Sequence, residues 1–555
     1  MRDADSRRLK KNLRESAVKS AKICVNQTTH TMTEKISLFL KELRTMPLLV
    51  LCICMILGIL AAEKGGMTVV LAMIPFALTM VFLFVLGKTK ANLPLERGLD
   101  IAMLGTFVGI GAVLWQIQGT KKPVFPENFI GEKHQIVAVV CGNVKQYPNS
   151  RSTQVEMVGY MQDSLLLTFP AKMRLSIDST ITTKIEKHDT LYLTGYIREV
   201  ESKNVSYLSY LHRNNIYLSC RTKNLAVAGK RPSFDYQIEK IQAALTAQVF
   251  RIMPDSATAG VAAAMFLGEN DFLDSDITSD FSQAGVSHIL AISGQHISMI
   301  FILLNLLLSP LHFVPKGRRY KNLAVMGLLL MYMLLCGAGA SVVRSVAMFC
   351  IILLAKFFRR RYKILNLMGL AAIIQFLFAP TVIYNLGFQL SYSAVASIVI
   401  FYPLFENYFR TSSRIINEVF SWIGITLSAQ IFTLPFILLA FGKFPTYFLL
   451  SNVLMALLGY VTVMVGFVML LVAYIPVLNM VLGYLTHFLL KGMMLLSHLI
   501  TTFPYPVIDH FAHQGILILG LQLGLAGILL FLPKWFSKAE NVEDEASGLE
   551  RMGLG

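Results

Sequence analysis

Residues 447–475 read YFLLSNVLMALLGYVTVMVGFVMLLVAYI and contain no charged side chain. A helix of about 20 such residues crosses the hydrocarbon core of a bilayer, so this run predicts a transmembrane helix. Similar runs recur along the 555 residues, of which 55% are hydrophobic and 15% charged. Soluble domains carry about 25% charged residues. The composition therefore predicts an integral membrane protein and excludes a soluble enzyme, a disordered protein and a disulfide-rich secreted module.

The apolar runs predict an α-helical polytopic membrane protein of about twelve spans, with broken or half-length helices among them. Basic loops at 316–321 and 359–363 follow inward-running spans. Because cytoplasmic loops collect Lys and Arg, we expect both termini in the cytoplasm. The expected spans lie near 46–62, 67–87, 99–118, 289–311, 323–336, 342–357, 364–380, 386–405, 417–441, 447–475, 479–502 and 512–533.

Changes in composition divide the chain into six segments. We expect a basic cytoplasmic tail, three N-terminal transmembrane helices, an extracytoplasmic β domain, amphipathic or interfacial helices, a larger membrane domain and a polar cytoplasmic tail. In chain order these segments are 1–45, 46–118, 131–231, 232–285, 286–535 and 536–555.

The β domain at 131–231 shows a period of two, with strand-like runs separated by turns. Five or six strands in about 100 residues match an OB-fold, a small five-stranded barrel. The segment has 14 Lys and Arg against 8 Asp and Glu, and it is rich in Tyr. Single-stranded nucleic acid needs positive charge for its phosphates and aromatic faces for its bases. Tyr is also a common strand residue, so composition alone leaves both interpretations open.

Residues 287–298, SHILAISGQHIS, place polar groups in an apolar run. Polar groups at membrane depth cost free energy unless they are paired or face water. Gly294 favours a break in the helix, and broken helices at depth line cavities or pathways. We therefore expect His288, Ser293, Gly294 and His296 to line a polar path. The alternative is a span end with ordinary interfacial polar residues.

A second polar cluster is expected around Arg344, which follows the small-residue stretch 336–341. Small residues let helix backbones approach closely, and Ser341 and Arg344 are candidates for lining the same polar path. An arginine within an apolar run is costly unless it meets water, a carboxylate or a phosphate. The alternative is that Arg344 extends to the outer membrane interface.

A third polar stretch, NLGFQLSYS, occupies 385–393. Gln389 and Ser393 are four residues apart and share a helix face, so with Ser391 they are candidates for the same path. The alternative is that each polar group makes a helix–helix hydrogen bond.

The formal charge of +17 does not distinguish between topology, anionic lipid and a polyanionic substrate. Cys141 and Cys220 lie in the β domain, where an extracytoplasmic disulfide could form, although spacing does not establish its geometry. The sequence has no Walker A pattern and no His-Glu-x-x-His zinc motif. We therefore expect no ATP hydrolysis, no cofactor and no metal.

Three of these stretches resemble signature segments of the ComEC/Rec2 family, the competence proteins that form the inner-membrane DNA uptake channel. They are residues 288–296, Ser341-Val342-Val343-Arg344 and residues 387–391, and they occur in the family's order. A fourth stretch, 206–216, is similar to the segment that closes the family's periplasmic OB-like domain. The resemblance covers roughly residues 46–535.

The resemblance implies a bacterial inner-membrane channel that imports single-stranded DNA during natural transformation. It implies that the OB-like domain grips DNA, for which Tyr207, Tyr210 and Arg213 are the candidates, and that the intramembrane polar residues conduct the strand. The expected partners are single-stranded DNA, membrane lipid, an extracytoplasmic DNA receptor, a cytoplasmic helicase-like ATPase and a separate nuclease.

The sequence departs from the family pattern at several positions. Ala340 stands where the family often has Pro, and Gln295 where it often has Leu. Many members continue into a metallo-β-lactamase-like domain proposed to degrade the strand that is not imported. The present sequence contains no His-x-His-x-Asp-His motif, so we expect no nuclease activity and no enzyme in this polypeptide.

Two other functions stay open from sequence. A secondary transporter of a small anionic or lipid-linked solute explains the spans and Arg344, but not a basic Tyr-rich domain outside. An intramembrane serine hydrolase would use Ser293 with His296 or His288. Ala291 stands where rhomboid-type proteases have the first Gly of Gly-x-Ser-Gly, which disfavours that interpretation.

Overall fold

The computed structural model describes most of the chain between residues 46 and 509. The expected spans at 67–87 and 512–533 and the expected tails at 1–45 and 536–555 lie outside the described residues. The described ranges are 46–65, 95–119, 125–126, 129–147, 150–162, 165–181, 183–202, 205–408 and 413–509.

A small β-barrel forms between the helix Leu95–Gln118 and the helix Phe234–Ile252. Its strands are β1 (Lys133–Val140), β2 (Lys145–Tyr147), β3 (Ser150–Gln162), β4 (Leu165–Asp178), β5 (Asp189–Glu199) and β6 (Ile216–Lys230). Strand β1 pairs antiparallel with both β3 and β5, and β3 pairs antiparallel with β4. Strand β6 closes the ring by pairing antiparallel with β5 and parallel with β4. Five strands thus form the barrel, and short β2 pairs only with β3.

The period of two in the sequence produces the barrel core. Along β5, Leu191, Leu193 and Ile197 are buried, whereas Tyr192 and Tyr196 are exposed. Successive side chains of a strand point to opposite faces, so one face of each strand fills the interior. Each fully buried aliphatic side chain contributes about 1.5–3 kcal/mol. The predicted β domain is confirmed as a small barrel.

The remaining elements are helices joined by short loops and two 3-10 turns, Ser309–Phe313 and Pro380–Tyr384. They are α1 (Pro47–Gly65), α2 (Leu95–Gln118), α3 (Val205–Arg213), α4 (Phe234–Ile252), α5 (Ser256–Leu267), α6 (Ser275–Gln283), α7 (Ser287–Leu290), α8 (Gly294–Leu307), α9 (Gly317–Leu335), α10 (Ala340–Phe357), α11 (Ile364–Phe378), α12 (Leu386–Tyr408), α13 (Arg414–Phe441), α14 (Phe448–Leu471) and α15 (Pro476–Thr501). A two-stranded ladder, β7 (Phe444–Pro445) with β8 (Val507–Ile508), completes the described structure.

Six helices within the described ranges are long and apolar enough to cross a membrane. Four further apolar helical stretches contain only 10–17 residues. They include α8, which corresponds to the expected span 289–311. That span is broken, since α7 ends at Leu290 and α8 begins at Gly294, where the sequence predicted a break. The six candidate spans are α1, α10, α12, α13, α14 and α15.

The segment 232–285 differs in one respect from the predicted amphipathic or interfacial helices. Helix α5 is buried from Thr258 to Leu267, so it is a core helix and not an interfacial one. Its sequence, SATAGVAAAMFL, is rich in small residues that allow close packing. A Cβ on Gly260 would lie 2.3 Å from the carbonyl oxygen of Phe272, and Phe266 packs directly against Gly466. The sequence did not indicate this burial, because an Ala-rich apolar helix carries no periodic signal of which face is covered.

The barrel is tied to the helical part at the end where β5 begins and β6 ends. The Nε2 atom of His188 lies 2.9 Å from a carboxylate oxygen of Glu239 on α4, and Lys187 also pairs with Glu239. Nearby, the amide of Asn143 donates to Asp271 in the loop after α5. The barrel therefore contacts α4 and the segment that leads into the break before α8.

Candidate functional site

Arg344 lies buried in the second turn of α10, with only 5% of its surface exposed. Its Nε donates to the hydroxyl of Ser391 on α12 at 2.7 Å. The guanidinium carbon lies 5.7 Å from the ring centre of Tyr392. Within the described ranges no carboxylate forms an ion pair with Arg344. A buried guanidinium with only neutral partners is costly unless it meets water or an anion.

Hydroxyl groups connect the arginine to both helices. Ser341 and Ser391 have their hydroxyl oxygens 3.1 Å apart, which links α10 to α12. The hydroxyl of Ser345 donates to the carbonyl oxygen of Ser341 at 3.0 Å. The arginine therefore sits in a polar patch between otherwise apolar helices.

Gly294 brings the start of α8 against the arginine. A Cβ at this position would lie 2.8 Å from the Nη2 of Arg344 and 2.8 Å from the hydroxyl of Ser345, so a larger residue would displace one of these side chains. The first backbone N–H groups of a helix have no intrahelical partner and carry partial positive charge. Guanidinium and helix end thus place positive potential at one point, an arrangement that suits an anion.

Ser293 and His296 cap the same helix end. The backbone N–H of Ser293 donates to Nδ1 of His296 at 3.2 Å, and the Ser293 hydroxyl lies 2.8 Å from that nitrogen. This reciprocal arrangement is a capping box. His296 is 4% exposed, and its Nε2 has no hydrogen-bond partner among the described residues. A catalytic Ser-His pair also needs a group that orients the second ring nitrogen, and the described part of the chain supplies none there.

Two of the other predicted path residues bond to backbone carbonyl oxygens. Gln389 donates through Nε2 to the carbonyl oxygen of Ile383 at 2.9 Å, and the Ser393 hydroxyl donates to the carbonyl oxygen of Gln389. These bonds stabilise the start of α12. His288 is an exposed residue of α7.

We name the residues that meet around the guanidinium the arginine cluster. Two of them, Ser345 and Tyr392, were not predicted, although each directly follows a predicted residue in an apolar run. Within the part of the chain that the structure describes, no group of three His, Cys, Asp or Glu is placed to hold a metal ion. The arginine cluster consists of Gly294, Ser341, Arg344, Ser345, Ser391 and Tyr392.

The predicted DNA-binding residues of the barrel lie on α3, between β5 and β6. Tyr207 and Tyr210 are exposed and stacked, with ring centres 6.3 Å apart and an interplanar angle of 21°. The guanidinium carbon of Arg174 lies 6.0 Å from the ring centre of Tyr207. These two tyrosines therefore present adjacent aromatic faces beside a cation.

Arg213 contacts the membrane helices at the end of α3. Its guanidinium carbon lies 4.1 Å from the ring centre of Tyr384, in the 3-10 turn before α12. The hydroxyl of Tyr384 donates to Glu63 at the end of α1, and Trp115 of α2 meets the same ring edge-on at 6.0 Å. The arginine thus fastens α3 to the membrane domain.

The possible disulfide between Cys141 and Cys220 is not formed in the structure. Both are free thiols: Cys220 is buried in the barrel core and Cys141 is exposed beyond the end of β1. Burial raises the pKa of Cys220 to about 12. Burial and the neighbouring Glu156 raise the pKa of Cys141. The alternation of β6 turns Cys220 inward, away from the exposed position of Cys141.

These features define the class of protein. Apolar helices of spanning length, an inserted barrel and a polar cluster at a helix break are those of a membrane protein with a soluble domain. Residues 265–535 match the family model described as "Competence protein". This match and the relative described below support a protein of the ComEC/Rec2 family of competence proteins.

A curated relative is consistent with this family. The chain is 24% identical over 308 residues to "ComE operon protein 3" of Bacillus subtilis (strain 168). The match covers 53% of this chain and 38% of the relative, so the chain matches less than half of that protein's length. No solved structure matches the chain.

Proposed function

We propose that this protein is an inner-membrane channel that imports single-stranded DNA during natural transformation. Its family is one of competence proteins, which supports a role in DNA uptake. The observation that carries the channel mechanism is the arginine cluster, in which Arg344 is buried among apolar helices without a carboxylate partner within the described ranges. A strand carries one negative charge per nucleotide, so its passage requires such a counter-charge.

In this mechanism a DNA phosphate meets Arg344 beside the first turn of α8. The guanidinium supplies a fork of N–H donors and the helix end supplies backbone N–H groups. Ser341 and Ser391 add hydroxyls that exchange partners as successive phosphates pass. Since the path needs water around the remaining charge, we propose that the polar residues His288, Ser293, His296, Gln389 and Ser393 line its walls, as the sequence predicted.

We further propose that the barrel is an OB-like domain that grips the strand before it enters. Its closed ring of five strands supports this assignment. The stacked pair Tyr207 and Tyr210 offers faces for bases, and Arg174 offers a charge for phosphates. Arg213 serves this function by holding α3 at the membrane domain, through its contact with Tyr384.

The remaining parts of the proposal concern topology and partners. We propose about twelve spans and both termini in the cytoplasm, supported by the positions of the basic loops. The driving energy comes from a cytoplasmic helicase-like ATPase or from the proton gradient. A receptor delivers DNA on the outer side of the membrane. A separate nuclease degrades the strand that is not imported. The polypeptide itself acts as a conduit and not as an enzyme.

The test is uptake of labelled DNA by a transformable host whose own copy has been replaced. Arg344→Gln should lower both cytoplasmic label and transformation at least tenfold at equal protein level, since a hydrogen bond to a charged group contributes about 1.5–3 kcal/mol. Arg344→Lys should retain part of the uptake because it keeps the charge. Arg251→Gln, at an exposed arginine of α4, is the matched control. Wild-type uptake by the Arg344→Gln strain would contradict the proposal.

A second candidate is a secondary transporter of a lipid-linked anion. A cavity of about 440 Å³ lies beside the arginine cluster between α1, α11, α12 and α13, and Tyr392 lines it. Its lining is mostly apolar, so a lipid tail could occupy it while an anionic group meets Arg344. Ala396→Phe, which fills this cavity, should abolish such transport and leave DNA import unchanged.

A further inference from the structure

Two exposed tyrosines stand on one face of β5. Tyr192 is 54% exposed and Tyr196 is 53% exposed, although the barrel interior lies directly beneath them. They are four residues apart on one strand, which places their side chains on the same face about 13 Å from each other. Neither is part of the stacked pair Tyr207 and Tyr210 on α3. A half-exposed tyrosine in the middle of a sheet does not serve the core, so these two rings are available to a ligand.

Charged residues flank the second of these tyrosines on both sides. In the strand register, Tyr196 lies directly opposite Lys133 of β1 and Arg221 of β6. Residues directly opposite in antiparallel strands share a face, with Cβ atoms about 4.5–5.5 Å apart. Arg198, two residues further along β5, is exposed on the same side. Three cationic residues therefore neighbour Tyr196 on this face of the barrel.

Anionic competition for these cations is weak. The carboxylate of Asp178 lies 3.6 Å from Arg221, and the Arg221 side chain remains 69% exposed. An exposed pair of this kind contributes about 0–1 kcal/mol and is easily exchanged for another anion. The cations of this face can therefore turn to a phosphate without losing a strong partner.

The neighbours of the first tyrosine leave its ring accessible. Tyr192 lies opposite Val137 of β1 and Ala226 of β6. Between the two tyrosines, Thr194 lies opposite Gln135 and Asn224. The side chains between the rings are short or polar. This pattern favours contact with bases and water over insertion into lipid, which would require a larger aliphatic surface.

We propose that this β5 face, made of Lys133, Tyr192, Tyr196, Arg198 and Arg221, is a second binding surface for single-stranded DNA on the barrel. Bases stack on the two tyrosines, and phosphates contact the three cations. The inference rests on the proposed DNA-uptake function and names a grip separate from Tyr207 and Tyr210. A strand held on both surfaces is bound more tightly than on either one, because the second contact is intramolecular.

The test uses the full chain in nanodiscs of phosphatidylcholine, titrated with a fluorescent oligothymidylate at several salt concentrations. Tyr192→Ala and Tyr196→Ala should each weaken binding at least about fivefold, whereas the Phe variants should retain it because the ring remains. Lys133→Gln and Arg221→Gln should each weaken binding and lower the salt slope by about one. Tyr474→Ala, at a 97% exposed tyrosine between α14 and α15, is the control and should change nothing.

The outcomes separate this inference from the function on which it rests. Unchanged affinity in the double variant Tyr192→Ala/Tyr196→Ala would overturn the inference. If affinity for the oligonucleotide were unchanged and binding to anionic vesicles fell instead, the face would be a membrane contact and the inference would also be wrong. Complete loss of binding in Tyr207→Ala, with full binding in the double variant, would assign the whole grip to α3 and leave the uptake function standing. Only a wild-type chain that binds no oligonucleotide, together with normal transformation by Arg344→Gln, would overturn both.

Discussion

In the barrel, the guanidinium carbon of Arg174 lies 6.0 Å from the ring centre of Tyr207, and that tyrosine is exposed. Between α10 and α12, Arg344 lies at a similar distance, 5.7 Å, from the ring centre of Tyr392, but the arginine is buried. Cation–π contacts contribute about 0.5–1 kcal/mol when exposed and about 2 kcal/mol or more when desolvated. The same pair of residue types is therefore an open surface in one region and part of the packed interior in the other.

This difference indicates how each region responds to a ligand. On the barrel, water already competes for the arginine, so a phosphate can replace it at little cost. Under the proposed function, a phosphate would supply the counter-charge that the buried guanidinium of the arginine cluster lacks, with a correspondingly larger gain in free energy. We therefore expect substitutions of the buried Arg344 to have larger functional effects than those of the half-buried Arg174.

The largest effect is expected from comparing Arg344→Gln with Arg174→Gln. The first should lower DNA import at least tenfold, because it removes the only cation of the cluster and its bond to Ser391. The second should lower import less than about threefold, since the barrel carries several other cations. Uptake of a labelled strand measures the import by both variants. A larger loss of import in Arg174→Gln than in Arg344→Gln would contradict this expectation.

A smaller effect is expected from two glycines. Gly294→Ala places a Cβ 2.8 Å from Arg344 and Ser345 and should destabilise the protein by about 1–3 kcal/mol. Gly327→Ala on α9 meets nothing within 4 Å and should stabilise it by up to about 1 kcal/mol, because alanine favours helix. Thermal unfolding in detergent distinguishes them. Equal changes of the unfolding temperature in both variants would show that the start of α8 is not packed against Arg344.

The two barrel cysteines also differ in exposure, and their reactivity tests that difference. In single-cysteine variants, a maleimide should label Cys141 at least about tenfold faster than Cys220 near pH 8, because the thiolate reacts and burial holds the pKa of Cys220 at about 12. Mass spectrometry of the alkylated peptides measures the rates. Equal labelling rates of Cys141 and Cys220 in the folded protein would mean that β6 does not turn Cys220 inward.

The smallest effect concerns a half-exposed carboxylate of the barrel. Hydrogen bonds and attraction from Lys184 and Lys230 lower the pKa of Glu186 to about 2. A carboxylate with a lowered folded-state pKa adds stability above its unfolded value, and this contribution is lost as the pH falls from about 4.5 towards 2. Glu186→Gln should therefore reduce the loss of unfolding midpoint across that pH range. An identical pH dependence in the variant would contradict the assignment.

The barrel strands and the membrane helices were largely predictable from sequence, because strands and helices repeat their apolar residues with different periods. Alternation indicated the barrel strands, uncharged runs indicated the long helices, and Gly294 marked the break before α8. The burial of α5 was not predictable, because small apolar residues occupy every face of that helix. Its environment depends on a distant residue, since Gly466 on α14 leaves room for the ring of Phe266.

The candidate site was predictable as a set of residues and not as a geometry. Arg344 and Ser391 are 47 positions apart, and a polar residue in an apolar run does not identify its partner. The contact of Arg213 with Tyr384 likewise joins two segments whose local patterns contain no sign of each other. Pattern analysis finds the polar groups because they are costly at membrane depth, but tertiary packing decides which of them meet.

The most direct test of the central claim asks whether the strand touches the arginine cluster during import. In a variant without native cysteines, Ser341→Cys places a thiol beside Ser391, and Gly327→Cys places one at an exposed position of α9. A DNA strand with thiol-reactive groups along its backbone is then added during uptake. We expect a covalent adduct at position 341 and none at 327. Uptake that proceeds with no adduct at 341, or with equal adducts at both, would contradict it.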